Sequence, residues 1–299
     1  MGMKLDNIQL KNGICRWLFV WAAALLWVSC SGGGERQRIV SVTVLPQQYF
    51  AGQIAGDKFE INCVVPAGNN PEAYDPSPSQ LAAVDRSEAY FKTGGLGFEV
   101  AWLDKLCRNN PGMKVYDLSA GIELLRDAHD HDAPGELHEE GFDPHIWSSP
   151  RQARRMARNM YEAFVELDPD NGAYYRQNYE SLLAEIDRVD SLLTAVLEPV
   201  RGQTFVIYHP SLSYLARDYG LRQLSVEHNG KTPSAYYMKQ VVDTARACGV
   251  DVIFIQKEFD VKQVQMLAGE LDCRIVPINP LNYDWSDELE RIAYAFVRP

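Results

Sequence analysis

Four polar side chains stand where strands of the chain end or where helices begin. Glu72 follows a short strand in "NPEAYDPSP", and His145 comes just before a Ser-Pro helix start in "DPHIWSSP". His209 ends the run "TFVIYH", and Asn279 ends "RIVPIN". Carboxylate oxygen, imidazole nitrogen and amide oxygen are all metal donors, and zinc accepts the first two readily. If these residues meet, they can hold a divalent cation.

Each of the four residues also has an ordinary structural interpretation. Glu72 could stabilise the dipole of the helix that follows it. Asn279 could serve a turn, where asparagine is common. A histidine at a strand end is often only a hydrogen-bonding residue. Whether the four residues form one metal site or have four separate structural roles depends on where the strands and helices place them.

Strands alternate with helices in both halves of the chain. Strands are predicted at "RIVSVTV", "KFEINCVV", "MKVYDLS", "QTFVIYH" and "VDVIFIQ", and helical patterns follow all but the first of them. This alternation predicts an α/β protein with mostly parallel sheets flanked by helices. In such sheets, ligands bind outside the carboxyl ends of the strands, which is where the four polar residues fall. Two sheets that face each other would bring them together.

A helical segment separates the two halves. It starts at Ser149 and Pro150, a capping residue followed by a proline suited to the first helical turn. Further on, apolar residues recur at spacings of four and three and form one continuous helix face: Tyr175, Tyr179, Leu182, Ile186, Val189, Leu193 and Val196. The pattern predicts an N-terminal lobe over residues 38–149, a helical linker over 150–198 and a C-terminal lobe over 199–299.

The first 37 residues differ from the rest. Three basic residues precede the apolar run "WLFVWAAALLWV", which is typical of a secretory signal peptide over residues 1–29 and is too short to cross a bilayer. The next residues, "SCSGGG", are similar to a bacterial lipoprotein signal, which makes Cys30 the lipid-bearing residue and residues 30–37 an anchor and flexible tether. Cleavage without a lipid is the alternative. Either way, the body faces the periplasm or the cell exterior.

The overall charge excludes one class of partner. The chain carries a formal net charge of −11, and loss of residues 1–29 makes it more negative. Nucleic-acid binding needs basic patches, so we exclude it. A hydrophobic content of 46% is ordinary for a folded protein.

Four motifs give the chain a family resemblance from about residue 38 to its end: "FKTGGLGFEVAWLDKL", "DPHIWSSP", "YHPSLSYLARDYGL" and "GKTPSA". It resembles the metal-binding substrate-binding proteins of ABC importers, and their zinc branch most. The resemblance implies two α/β lobes joined by a long rigid helix, with a divalent metal held between them. It implies a monomer, not an enzyme, that delivers zinc to a membrane permease; Mn²⁺ and Fe²⁺ are alternative cargoes.

The resemblance also implies a ligand set. His145 and His209 match metal ligands of the family, which usually has a histidine where Glu72 stands and often an acid where Asn279 stands. Glu72 is then a ligand of substituted type, and Asn279 offers only a neutral oxygen. Gln256 or a water molecule could complete the site instead.

Two further features carry predictions of their own. The loop with His129, His131 and His138 is rich in acids; it is either a solvated loop or, as the zinc branch implies, a weak metal-gathering loop. Cys248 and Cys273 each end a helix just before a strand, "VDVIFI" and "RIVPI". If those strands are neighbours, the spacing suits a disulfide between the two cysteines.

Two other functions remain open from the sequence. A site with two histidines and one carboxylate is also what metallohydrolases use. The chain has no HExxH motif, and only Glu258 or Asp260 offers a general base. The third interpretation is a metal-independent surface adhesin that has lost its site, which the residues at 72 and 279 would explain.

Overall fold

The computed structural model describes residues 37–126, 141–227, 233–259 and 261–297, except the side chains of 261–264. From Arg38 onward, the described residues belong to one compact unit. The predicted signal peptide and most of the tether, with Cys30, lie outside the described residues. So does the predicted metal-gathering loop with its three histidines.

The first sheet has four parallel strands in the order β2-β1-β3-β4. Its strands are β1 (Ile39–Val42), β2 (Glu60–Cys63), β3 (Ala89–Lys92) and β4 (Lys114–Asp117), and its helices are α1 (Leu45–Ala55), α2 (Pro78–Val84) and α3 (Gly97–Asn109). All four residues of β1 are buried, as expected for a central strand covered on both faces. The hydroxyl of Ser77 accepts a hydrogen bond from the Gln80 amide and caps α2.

The second sheet repeats this design in the order β6-β5-β7-β8, again all parallel. Its strands are β5 (Thr204–Ile207), β6 (Arg222–Ser225), β7 (Val252–Gln256) and β8 (Arg274–Ile278). The later helices are α6 (Ser213–Tyr219), α7 (Ala235–Ala247), α8 (Val261–Leu271) and α9 (Trp285–Val297). In each sheet the second strand lies on one side of the first strand, and the third strand lies on its other side. Open α/β sheets form ligand crevices where the strand order changes side in this way.

Two helices join the sheets: α4 (Pro150–Leu167) and α5 (Gly172–Leu197). The 26 residues of α5 reach about 39 Å at 1.5 Å per residue. The predicted apolar face is buried at Tyr175, Leu182, Ile186, Val189 and Leu193. It packs against α1, α4 and α9, so α5 contacts elements of both lobes. None of the described helices has the length and apolarity needed to cross a membrane.

One apolar core runs through both sheets and the joining helices. It includes Val40 and Phe91 of the first sheet, Ile186 of α5, and Phe205 and Phe254 of the second sheet. The lobes therefore share a core instead of touching only at a hinge. The predicted fold class, two α/β lobes with a long joining helix, is confirmed.

The predicted disulfide is wrong in this structure, because Cys248 and Cys273 are both free thiols. The strands β7 and β8 are neighbours as expected, but Val252 pairs with Arg274. Asp251 therefore stands opposite Cys273, while Cys248 lies three residues earlier at the end of α7 and is exposed. The Sγ atom of Cys273 instead lies 3.0 Å from the carbonyl oxygen of Val250. The turn between α7 and β7 therefore places Cys248 out of line with Cys273, contrary to the prediction from the sequence.

Candidate metal centre

Three predicted donors converge between the lobes. Ligand atoms of Glu72, His145 and His209 all lie within 4.8 Å of one another. The Nε2 atoms of the two histidines are 3.3 Å apart. Two nitrogens bound to zinc at about 2.0–2.1 Å and at the tetrahedral angle lie about 3.3–3.4 Å apart. The spacing of the two imidazoles therefore suits one shared zinc ion.

His145 is held by a carboxylate two residues before it. The Nδ1 atom of the ring lies 2.8 Å from Oδ1 of Asp143, which also accepts a hydrogen bond from the His145 amide at 2.9 Å. Both side chains are buried. Burial opposes ionisation of Asp143, but the nearby His145 and its hydrogen bonds bring the pKa of this carboxyl below its ordinary value. The pairing leaves Nε2 of His145 directed toward His209.

His209 has the same kind of support from the other lobe. Its Nδ1 atom lies 2.5 Å from Oε2 of Glu227, a buried residue just after β6. Gln256, at the end of β7, holds the backbone: its amide nitrogen donates to the carbonyl of His209 at 2.6 Å and its oxygen accepts from the His209 amide at 3.3 Å. Both ends of the Gln256 side chain therefore help to position His209.

Glu72 is held through the glycine-rich segment before α3. Its Oε2 atom accepts a hydrogen bond from the Gly97 amide at 2.7 Å. A Cβ atom at position 97 would lie 2.3 Å from the Glu72 carbonyl oxygen, so only glycine allows this approach. The other oxygen, Oε1, is buried and has no hydrogen-bond partner among the described residues. A buried carboxylate oxygen without a donor is what a metal ligand looks like before the metal is added.

Asn279 shows the same signature. Its Oδ1 atom is buried and has no hydrogen-bond partner in the described part of the chain. The backbone amide of Asn279 donates a hydrogen bond to Oε1 of Glu288 at 2.6 Å, which fixes the segment after β8 to α9. The indole of Trp147 donates to the carbonyl of Pro280 at 2.9 Å and so ties this segment to that of His145. These contacts hold the Asn279 segment next to the segment that carries His145.

A cavity of about 20 Å³ opens beside the two histidines, room for about one water-sized sphere. It is lined by Asn70, Pro71, His145, His209, Ser211, Gln256, Glu258, Phe259, Pro280 and Leu281. The Phe259 ring stacks on the His209 imidazole, with centroids 5.3 Å apart and planes at 18°. Burial raises the pKa of Glu258. The space suits a single ion.

Comparisons with known proteins give the family. Residues 40–293 match the model of ZnuA, the periplasmic component A of a zinc-uptake complex. The chain belongs to this family. The high-affinity zinc uptake system protein ZnuA of Bacillus subtilis is 26% identical over 282 residues, covering 88% of each protein.

Two solved structures are similar to this chain. A crystal structure of ZnuA, 37% identical, superposes with a TM-score of 0.79 and covers 87% of this chain and 98% of that one. The binding protein FpvC of Pseudomonas aeruginosa, solved with Mn²⁺, is 23% identical with a TM-score of 0.77 and covers 88% and 98%. That second likeness shows the fold alone.

Three residues of the site were not found from the sequence. The sequence could have indicated Asp143, because an acid two residues before a histidine can reach the Nδ1 atom of that ring within one turn. No sequence pattern indicated Glu227, because its contact with His209 depends on the pairing of β6 with β5. Glu99 of α3 is buried and accepts hydrogen bonds from the amides of Thr93 and Gly94, which shapes the segment that holds Glu72.

Proposed function

We propose that this chain captures one Zn²⁺ between its lobes and delivers it to an ABC permease. The observation that carries the proposal is the convergence of Glu72, His145 and His209 with the 3.3 Å spacing of the two Nε2 atoms. The family model and the relatives from zinc-uptake systems support the same function. The Asn279 oxygen is our candidate for the fourth donor.

The donor set favours zinc. Two imidazoles and one carboxylate with a neutral fourth oxygen leave a net charge of about +1 on a bound divalent ion. Imidazole suits zinc well, and the general order of affinity places zinc above manganese and iron in such a site. Mn²⁺ and Fe²⁺ remain weaker cargoes that use the same donors.

Delivery and location are proposals of the same kind. An exported protein anchored through a lipid on Cys30 would hold its body close to the permease. The family is described as periplasmic, which supports an extracytoplasmic site of action. His129, His131 and His138 would gather zinc weakly ahead of the central site.

We propose a receptor without enzymatic activity. A metallohydrolase needs space for a water molecule and a substrate at the open position of its zinc. The cavity here holds about one water-sized sphere. A binding protein that has lost its metal is also disfavoured, because the structure brings three donors together and leaves a Glu72 oxygen without a partner.

The test is metal analysis and a chelator-competition titration of the purified chain. We expect one tightly bound zinc per molecule and a loss of affinity of more than about 100-fold in His209→Ala, since one of three anchored donors is removed. The control replaces His129, His131 and His138 with alanine and should keep the tight site. If the chain binds no divalent metal, or if His209→Ala binds zinc as tightly, the proposal is wrong.

A further inference from the structure

Glu258 is an acidic residue of the metal cavity that is not one of its converging donors. It stands two residues after Gln256, the last residue of β7, and lines the same cavity as His145 and His209. Glu258 is outside the group of ligand atoms that lie within 4.8 Å of one another. It therefore borders the site without belonging to it.

The position of Glu258 is fixed by its neighbours in the chain. Gln256 makes hydrogen bonds to the backbone of His209 on one side of it. Phe259 stacks on the His209 ring on the other side. Since both flanking contacts involve the same ligand, Glu258 is held beside His209 at the wall of the cavity.

The charge of the neighbouring Lys257 acts on the Glu258 carboxylate but forms no ion pair with it in the described part of the chain. The carboxylate forms no ion pair or hydrogen bond with another side chain in the described ranges, although it is half-buried. Removing a carboxylate from water without a cationic partner costs free energy. An incoming hydrated divalent ion would supply that partner from solution.

We propose that Glu258 is an entrance carboxylate: it contacts the incoming hydrated Zn²⁺ first and passes it to Glu72, His145 and His209. This rests on the proposed function and adds a residue to its binding route. A negative charge at the cavity wall raises the local concentration of a cation and speeds its association. It has little effect on dissociation, because the final donors are the other three residues.

A purely structural role makes a different prediction. Glu258 stands shortly before the first residue of α8, where a carboxylate can stabilise the helix dipole. Loss of that contact would lower the melting temperature and leave the zinc association rate unchanged.

The experiment measures both zinc rates by stopped flow. Association is followed by tryptophan fluorescence, since the Trp147 ring lies 5.3 Å from the His145 ring, and dissociation by mixing the zinc complex with excess chelator. In Glu258→Gln we expect the association rate constant to fall about threefold to tenfold at low salt, with a weaker dependence on ionic strength. The dissociation rate constant should not change.

The matched control is Glu270→Gln, an exposed glutamate at the far end of α8 in the same lobe. It removes the same charge and should leave both rate constants as in the wild type. An unchanged association rate in Glu258→Gln, or a faster dissociation with normal association, would overturn the inference. If the wild type still binds one zinc, these results leave the proposed function intact. If the wild type binds no zinc, both the proposed function and the role of Glu258 are wrong.

Discussion

Each of the two histidines proposed as ligands contacts a carboxylate, one from each lobe. Asp143 lies behind His145 and Glu227 behind His209, and both contact Nδ1. Such partners fix the tautomer and the ring orientation and make the other nitrogen a better ligand. We therefore expect zinc affinity to depend also on residues that do not touch the metal.

Glu227 allows a direct test of that dependence. We expect Glu227→Ala to weaken zinc binding about tenfold to 100-fold, because the His209 ring loses its orienting acceptor. Glu227→Gln keeps an acceptor oxygen but no charge and should lie between the wild type and the alanine variant. The measurement is a chelator-competition titration, with circular dichroism to show that each variant folds.

The control for Glu227 is Glu198→Gln, an exposed glutamate in the short helix after α5. It should bind zinc as the wild type does. Equal affinity in the wild type and Glu227→Ala would mean that packing alone orients His209.

The sequence indicated the residues that we propose as ligands, but not all of the residues that position them. Glu72, His145 and His209 follow strands or precede helix starts, and these local patterns are visible in one segment at a time. Glu227 reaches His209 only because β6 lies beside β5, with the Glu227 amide bonded to the Tyr208 carbonyl. A contact that depends on the pairing of two strands has no signature in either strand alone.

At the level of elements, the sequence missed one helix, α1. It is buried at Pro46, Gln47, Tyr49, Phe50, Ala51, Ile54 and Ala55, so it lacks the polar face that makes a surface helix recognisable. Its Tyr49 and Phe50 rings contact Tyr283 and Trp285 of the other lobe. A helix buried on several sides shows no amphipathic period, which is why its position between the lobes hid it.

The junction between α4 and α5 is fixed to the first sheet through Asp168. Its carboxylate accepts hydrogen bonds from Tyr175 at 2.5 Å and Asn171 at 2.8 Å, and it lies 3.4 Å from the Arg38 guanidinium. Burial alone would raise the pKa of Asp168, but these donors bring it below its ordinary value of 3.8. The ionised form is therefore the one that stabilises the junction.

Asp168→Asn should lower stability by about 1 kcal/mol at pH 7, the usual net value of a hydrogen bond. A carboxyl whose pKa is lowered by folding adds stability above its unfolded pKa, and this is lost as the pH falls through the folded value. The difference between wild type and variant should therefore shrink below about pH 4. Urea unfolding at pH 7 and at pH 3 measures it.

The control for Asp168 is Asp170→Asn, an exposed aspartate two residues further on. It should leave stability unchanged at both pH values. A difference between wild type and Asp168→Asn that stays the same at pH 3 would show that the ionised form has no special part in the junction.

At the scale of the whole molecule, the two lobes have the same strand order, and one core joins them. Three buried hydrogen bonds connect the two lobes. The Trp147 indole donates to the Pro280 carbonyl at 2.9 Å, the Trp285 indole to the Trp147 carbonyl at 2.7 Å, and the Tyr214 hydroxyl to the Asp143 carbonyl at 2.7 Å. All three bonds involve a residue two positions from His145 in the sequence.

Wide opening of the lobes would break these bonds and expose part of the shared core. Each buried polar group left without its partner costs about 1–3 kcal/mol, so separation of all three would cost several kcal/mol. The three candidate donors already lie together, so metal binding requires no large movement of the lobes. Zinc must then enter and leave through local rearrangement of the cavity-lining loops.

We therefore expect zinc to change the distance between the lobes by less than about 2 Å, as in other preorganised binding proteins. Spin labels on Val100→Cys, on the exposed side of α3, and on the exposed native Cys248 would report that distance by pulsed electron resonance, with the other cysteines replaced by alanine. The control is Trp285→Phe, which removes the bond to the Trp147 carbonyl and should broaden the metal-free distance distribution. A shift of more than about 5 Å in the otherwise unaltered protein would show that the shared core opens as a hinge.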